Sequence, residues 1–360
     1  MPSTTKLVKV IKQNVGIDIS KDDFKVCFYR LDSNGRKYIK GSRTFKNTLA
    51  GFKEFLKWIK KHQVEDLQVR FTIEATGIYH ENLVYFLDDA GYFVSVILAN
   101  QSNSYAKSLN LKTKTDKVDA KMLGQMGIER ELFQWRRLSP NMRIIKQLTR
   151  DRVNLLNEKT MIINKMHALS YSFDPNKQVV KRFKQRKKLV EKQLKEVEKQ
   201  IHEAVKKDEI LKPKIDKICK VKGLGVMTVA TVIAETNGFK LFTSRGQIVS
   251  YAGYDVVEKQ SGSSIYGKTK ISKKGNRYIR RALHFPALTV IKYDTNFRQL
   301  FDRVLDRTAI KMKAYVAVQR KLLVLIYTLF KNDIDYNPDY NREAKNVDRQ
   351  QSLPTLDACH

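Results

Sequence analysis

Two spacings of apolar residues alternate along the first hundred positions. In Val15-Gly16-Ile17-Asp18-Ile19-Ser20, a period of two puts Val15, Ile17 and Ile19 on one face and Gly16, Asp18 and Ser20 on the other, which predicts a strand with a buried and a polar side. Phe24 to Tyr29 reads as a second strand, Asn34-Gly35 as a hairpin turn, and Lys37 to Phe45 as a third strand. Helical spacing takes over at Leu49, Phe52, Phe55, Leu56 and Ile59, with Asn47 as the expected cap. Period two returns in Leu67 to Glu74, where Val69, Phe71 and Ile73 share a face and Glu74 projects opposite to them at the strand's carboxyl end. A helix from about Tyr79 to Ala90, closed by Gly91, then leads to the strand Phe93 to Leu98.

The resulting order, β-β-β-α-β-α-β, is that of a ribonuclease-H-like α/β domain. A polar connection, Asn100 to Lys114, delivers Thr115, which can cap a helix carrying Asp116 and Asp119 at i and i+3 on one face. Farther on, Leu148, Leu155, Ile162 and Leu169 recur every seven residues with Ile145 and Met166 beside them, predicting a helix over Met142 to Tyr171 of about 28 residues, or roughly 42 Å. Arg152 and Lys159 interrupt that seam, which suits a short coiled coil or a contact with RNA. Asp174-Pro175-Asn176 is a turn, and Lys177 to Leu211 resumes the helical period through Leu194, Val197, Ile201 and Ala204, so that the two helices can form an antiparallel hairpin.

Pro213 marks the next expected boundary. Gly223-Leu224-Gly225 opens an apolar helix running to about Glu235, and it is either a helix-hairpin-helix-like turn whose backbone N–H groups hold a phosphate or a tight turn used for packing. Another helix is expected over Phe242 to Ala252. The polar segment from Asn332 to His360 should be poorly ordered. Four regions are therefore expected: a ribonuclease-H-like α/β domain over 1–138, a helical hairpin over 139–212, a mainly α domain over 213–331, and a tail over 332–360.

Charge narrows the function. Lys and Arg number 69 against 37 Asp and Glu, a formal net charge of +32, which points to a polyanionic partner, with nucleic acid foremost. A membrane is set aside because no run of about 18 apolar residues occurs and no signal-peptide core opens the chain, so the cell interior is the expected location. Cys27, Cys219 and Cys359 fit neither a disulfide framework nor a zinc knuckle, and the six histidines form no pair at metal-ligand spacing. Any metal here must be held by oxygen.

Four acids supply oxygen: Asp18, Glu74, Asp116 and Asp119. Taken singly, Asp18 is either a satisfied structural residue or a ligand for something positive, and Asp116 and Asp119 are ordinary first-turn acids favoured by the helix dipole. Taken together, carboxylates about 4 Å apart repel by about 4 kcal/mol at an effective dielectric of 20, so four converging acids call for cations. All-oxygen ligands favour Mg²⁺ or Mn²⁺. In the carboxyl-terminal half, Lys181 to Lys188 carries six cations in eight residues, and Lys268 to Arg281 carries seven with no acid, both suited to a phosphate backbone. A serine in the preceding Ser/Gly loop could act as a nucleophile, although such a residue is ordinarily a linker.

At these acids the chain resembles the DEDD, or RuvC-like, nuclease domain of Holliday-junction resolvases. Gly223-x-Gly, Ala252-Gly253, Ser261-Gly262, Ile271-Ser272-Lys273-x-Gly275-Asn276 and Arg280-Arg281-Ala282-Leu283 in turn resemble the carboxyl-terminal domain of the insertion-sequence one-ten transposases, whose amino-terminal half is a DEDD domain. The resemblance runs from about residue 14 to 330, in the family's order. It implies an RNA-guided recombinase that cuts and rejoins donor and target DNA with a structured bridge RNA and works as a homo-oligomer, a dimer or a tetramer. It also implies that Ser261 attacks the backbone while metal-bound acids of another protomer complete the site. Ser261 matches the motif serine because it precedes Gly262, with Ser263 and Ser264 as rivals if the loop alignment shifts. Gly223, Gly225, Lys268, Lys273, Lys274, Arg277 and Arg280 are the expected nucleic-acid contacts. The alternatives are a metal-dependent resolvase that only hydrolyses, and a non-catalytic RNA-binding scaffold.

Overall fold

The structure, a computed structural model, describes residues 8–337 apart from 76, 111–114, 241, 259, 262–264, 267 and 268. It divides the chain into two compact units, Met1–Arg137 and Leu138–His360.

In the first unit, β1 (Val10–Ile19), β2 (Asp23–Asp32) and β3 (Lys37–Lys46) form an antiparallel meander, and α1 (Leu49–His62) follows. Then come β4 (Val69–Glu74), α2 (Glu81–Asp89), β5 (Phe93–Ile97), α3 (Ala99–Ser108) and α4 (Asp116–Glu129). β4 and β5 add in parallel beside β1, giving one mixed sheet of order β3-β2-β1-β4-β5. One sheet face buries Val15, Ile17, Ile19, Phe24, Phe28 and Phe71 against apolar residues of α1 and α2. Two details differ from the sequence reading. Thr48, not Asn47, caps α1 by accepting from Gly51 N; Asn47 instead donates to Ser20 O (2.9 Å) and Tyr79 O (3.2 Å), tying down the β1–β2 turn. The supposed polar connection contains α3, which buries only Ser102 and Tyr105 and so lacks an apolar stripe to announce it.

The opposite sheet face carries α4, and small residues set how closely it lies. A methyl group on Gly16 would strike the backbone of Ala120 and Gly124, and one on Gly127 would strike Asn14 and Thr72. Asn14 Nδ2 donates to Gly124 O (3.0 Å), and Thr72 Oγ1 donates to Asn14 Oδ1 (3.1 Å), so buried polar groups on β1 and β4 are satisfied against the helix. Helix numbers rise as strand numbers fall along this contact, which brings the start of α4 to the carboxyl end of β1.

The second unit is mainly helical. α5 (Pro140–Ser170) begins at a Ser139 cap with Pro140 in its first turn, and α6 (Lys177–Lys206) begins at Asn176. The two pack as an antiparallel pair in which the cations interrupting the apolar repeat meet acids: Arg152 with Glu198 (2.8 Å) and Lys159 with Glu191 (3.0 Å). α7 (Leu211–Cys219), α8 (Val226–Glu235) and α9 (Arg245–Ala252) follow. Pro213, expected at a boundary, lies inside the first turn of α7, where its missing N–H has no helical partner to lose.

Next, β6 (Val256–Val257), β7 (Gln260–Ser261), β8 (Ile265–Tyr266) and β9 (Lys270–Ile271) pair as a nested hairpin, β6 with β9 and β7 with β8. The unit closes with α10 (Arg277–Ala282), α11 (His284–Tyr293), α12 (Thr295–Thr308) and α13 (Lys311–Asn332). A single core joins Ile145 of α5 and Ile201 of α6 to Val229 and Ile233 of α8 and to Leu322 of α13. Among the described residues no helix is long and apolar enough to cross a membrane.

Candidate active site

The four acids of the first unit act on one another through the carboxyl end of β1. Register places Ile17 beside Ile73, so Asp18 on β1 and Glu74 on β4 both stand one residue beyond the last parallel pair. Thr115 caps α4, and the close approach of that helix to Gly16 carries Asp116 and Asp119 toward the same strand end. The half-buried Asp18 carboxyl is pushed up to about 6, first by burial and then by Asp119, Asp116 and Glu74, with Lys25 opposing.

Lys25 is the residue that sequence reasoning missed. It is the cross-strand partner of Asp18 in the β1–β2 hairpin, and its ammonium pairs with Asp116, whose carboxyl it holds below the ordinary range. No cation adjoins Asp18 in sequence, but every β1–β2 pair from Lys25 to Arg30 follows one register, and counting back through the turn would have found it. Ser102 on α3 donates its hydroxyl to Glu74 Oε2 (2.5 Å).

The donor chemistry suits a hard divalent ion: four carboxylates, no sulfur or imidazole, and one acid already disfavoured in its charged form by the others. Among the described residues, however, no three His, Cys, Asp or Glu side chains are set as a ready-made cage. Lys25 occupies one oxygen of Asp116 and Ser102 one oxygen of Glu74, which leaves the second oxygen of each for an ion.

In the second unit, Ser261 lies in β7, with its backbone paired to Ile265. Gly262, Ser263, Ser264 and Lys268 lie outside the described residues. The base of the hairpin is built from the motif residues around it. Gly253, at φ 73°, closes α9, and Gly275 packs so tightly there that a methyl group would strike Tyr251 O and Gly253 N. Asn276 Oδ1 accepts from Tyr278 N (2.9 Å) and Ile279 N (3.1 Å), capping α10, while its Nδ2 donates to Glu235 Oε2 (2.7 Å).

Glu235, 3% exposed, also takes a two-pronged bond from Arg150, Nε at 2.6 Å and Nη2 at 2.9 Å. Sequence reasoning passed over this pair; an acid ending an otherwise apolar helix was its one trace. Of the expected nucleic-acid contacts, Lys273 and Lys274 are exposed, and Arg277 is exposed and stacks on Tyr278 (5.1 Å). Arg280 donates to Ala252 O (2.7 Å) and so secures the end of α9. Gly223, at φ 104°, packs on Thr289 and Val290 of α11, whereas the position of a side chain at Gly225, the N-cap of α8, is open space.

Two family models match this chain: the DEDD transposase model of the IS110 family over residues 15–170, and the model of the transposase IS116/IS110/IS902 family over 215–302. The chain is 27% identical over 329 residues to the pilin gene-inverting protein of Moraxella bovis, covering 89% of this chain and 97% of that one. The Moraxella lacunata protein of the same name matches with the same identity and coverage. The uncharacterized 43.6 kDa protein of insertion element IS110 from Streptomyces coelicolor is 25% identical over 119 residues, 33% of this chain and 29% of that one. A Ppx/GppA family crystal structure from Aquifex aeolicus aligns over 96% of this chain and all of its own at 12% identity, but its TM-score of 0.22 is too low to inform the fold.

Proposed function

Because the chain belongs to the IS110 family of transposases, its two halves matching that family's models in order, we propose that it breaks and rejoins DNA strands. In this reading Asp18, Glu74, Asp116 and Asp119 hold Mg²⁺ or Mn²⁺, and the hydroxyl of Ser261 is the nucleophile. The sheet order, an antiparallel meander extended by two parallel strands, supports a ribonuclease-H-like domain as the carrier of the acids. The single observation that carries the proposal is the placing of Asp18 and Glu74 at the carboxyl ends of neighbouring parallel strands, with the capped start of α4 and its two acids brought to the same end. Burial first, and then the other three acids, oppose the ionisation of Asp18. The ion, when bound, supplies positive charge that stabilises an attacking or departing oxygen at a phosphodiester.

The chain's own groups do the rest. Lys25 neutralises Asp116 until the ion is bound, and Ser102 orients Glu74. At the serine, a bond from Oγ to phosphorus forms as one bond from phosphorus to a deoxyribose oxygen breaks, and the serine proton ends on the departing hydroxyl. A hydroxyl of another strand then attacks the phosphoserine, rejoining DNA and restoring the serine. Lys273, Lys274 and Arg277 neutralise the adjoining backbone. A structured bridge RNA as the guide, and a homo-oligomer in which the acids of one protomer serve the serine of another, complete the reading. End-to-end similarity to gene-inverting proteins favours rejoining over hydrolysis alone.

Covalent trapping tests this. With cognate DNA, guide RNA and Mg²⁺, the protein should become bonded to DNA, and Ser261→Ala should abolish the adduct. An adduct that persists in the variant moves the role to Ser263 or Ser264; cutting with no adduct in the wild type leaves a metal-dependent hydrolase.

A further inference from the structure

α4 covers β1 and buries Cys27 and Tyr29 of β2, but on β3 the same sheet face stays open, with Ile39, Ser42 and Thr44 exposed. Between this strip and the first two turns of α4 lies a groove of about 460 Å³. We propose that it binds the sugar-phosphate backbone of the DNA strand running out of the acid cluster. The assignment rests on the metal-site reading above for the identity of the strand, but the groove itself stands on its own residues.

Among the described residues three lysines line it, Lys25, Lys117 and Lys121, and no acid does. Lys117 and Lys121 are exposed, sit one helical turn apart, and form no ion pair among the described residues. Arg43 adjoins the groove, but its guanidinium is paired with Glu54 of α1 and lies over Phe45, on the other side of the sheet. Lys25 stands at the junction, opposite Asp18 in register and bonded to Asp116, so the groove begins where the acids end. The Ser42 and Thr44 hydroxyls add hydrogen-bonding groups suited to phosphate oxygens.

The remaining lining decides what part of a strand fits. Ile39 and Val118 offer an apolar surface for deoxyribose, and among the described residues there is no aromatic ring to stack a base and no side-chain amide to read one. The contact is therefore independent of sequence. It holds the strand in place and leaves the choice of target to other parts of the assembly.

The test uses the full chain carrying Ser42→Cys, with maleimide labelling followed on the peptide that contains position 42. Short single-stranded DNA should slow labelling of the introduced thiol roughly tenfold at low salt. Adding Lys117→Ser and Lys121→Ser should remove that protection and lower the salt slope of DNA binding by about 0.7 for each lost contact. Lys53→Ser with Lys57→Ser, an equal loss of charge on the exposed side of α1, should leave protection in place. An unchanged labelling rate with DNA overturns the proposal, as does equal loss of protection in the α1 pair. Protection by RNA of the same sequence but not by DNA overturns the assignment to DNA. Mn²⁺ uptake measured on the same samples separates the two readings: protection without uptake removes the metal site and keeps the groove, and uptake without protection does the reverse.

Discussion

Each unit encloses an acid, and the two are treated in opposite ways. Glu235 meets the fork of Arg150 and the amide of Asn276, so its charge is matched and its oxygens are bonded. Asp18 meets three more carboxylates and a lysine that is itself spent on Asp116. A matched acid ties α5, α8 and α10 together and asks for nothing further. An unmatched one makes its unit less stable until something positive arrives, which is how a binding site differs from a structural ion pair.

Substitutions can break or sharpen that contrast, the largest effect being on activity. Asp18→Asn should lower strand cleavage roughly 10³-fold or more, read on gels with cognate DNA, because a ligand of the ion is lost. Glu235→Ala should instead act on folding. It takes the carboxylate from Arg150, whose guanidinium keeps only the Tyr278 ring, and should cost about 2–3 kcal/mol in denaturant unfolding, less than for a fully buried pair because Arg150 is 40% exposed. A similar destabilisation from Asp18→Asn would erase the distinction.

The expected effect of Asp18→Asn on stability has the other sign. A carboxyl whose folded value is about 6 against 3.8 unfolded binds its proton more tightly when folded. Its contribution is therefore full below about pH 4 and lost as pH rises through about 6. Above that, the asparagine variant without metal should be the more stable by up to about 3 kcal/mol, and its unfolding should lack the wild-type slope between pH 4 and 6. Smallest is Lys25→Met, which removes the stand-in cation. Metal-free protein should be only slightly destabilised, given that Asp116 is 62% exposed, and Mn²⁺ should raise the melting temperature more than in wild type.

The same contrast explains what could be read in the sequence. Asp18, Glu74 and the Thr115-capped pair were legible because period-two strands and a capped helix are local patterns, and the structure keeps those elements. Lys25 becomes legible only once the hairpin register is fixed, and the Arg150–Glu235 bond not at all, since it depends on tertiary packing across 85 residues. α3 escaped because its buried residues are a serine and a tyrosine and not a stripe. The surroundings of Ser261 read as a loop because strands of two residues are too short to show alternation. Arg152 and Lys159 looked like breaks in a seam until α6 supplied Glu198 and Glu191.

Calorimetric titration of Mn²⁺ into the full chain at neutral pH tests the central claim most directly, with Asp18→Asn and Asp119→Asn run beside the wild type. Wild-type protein should take up the ion, with affinity falling as pH drops below about 6, and both variants should lose that uptake. No uptake by the wild type, or equal uptake by all three, would contradict the account.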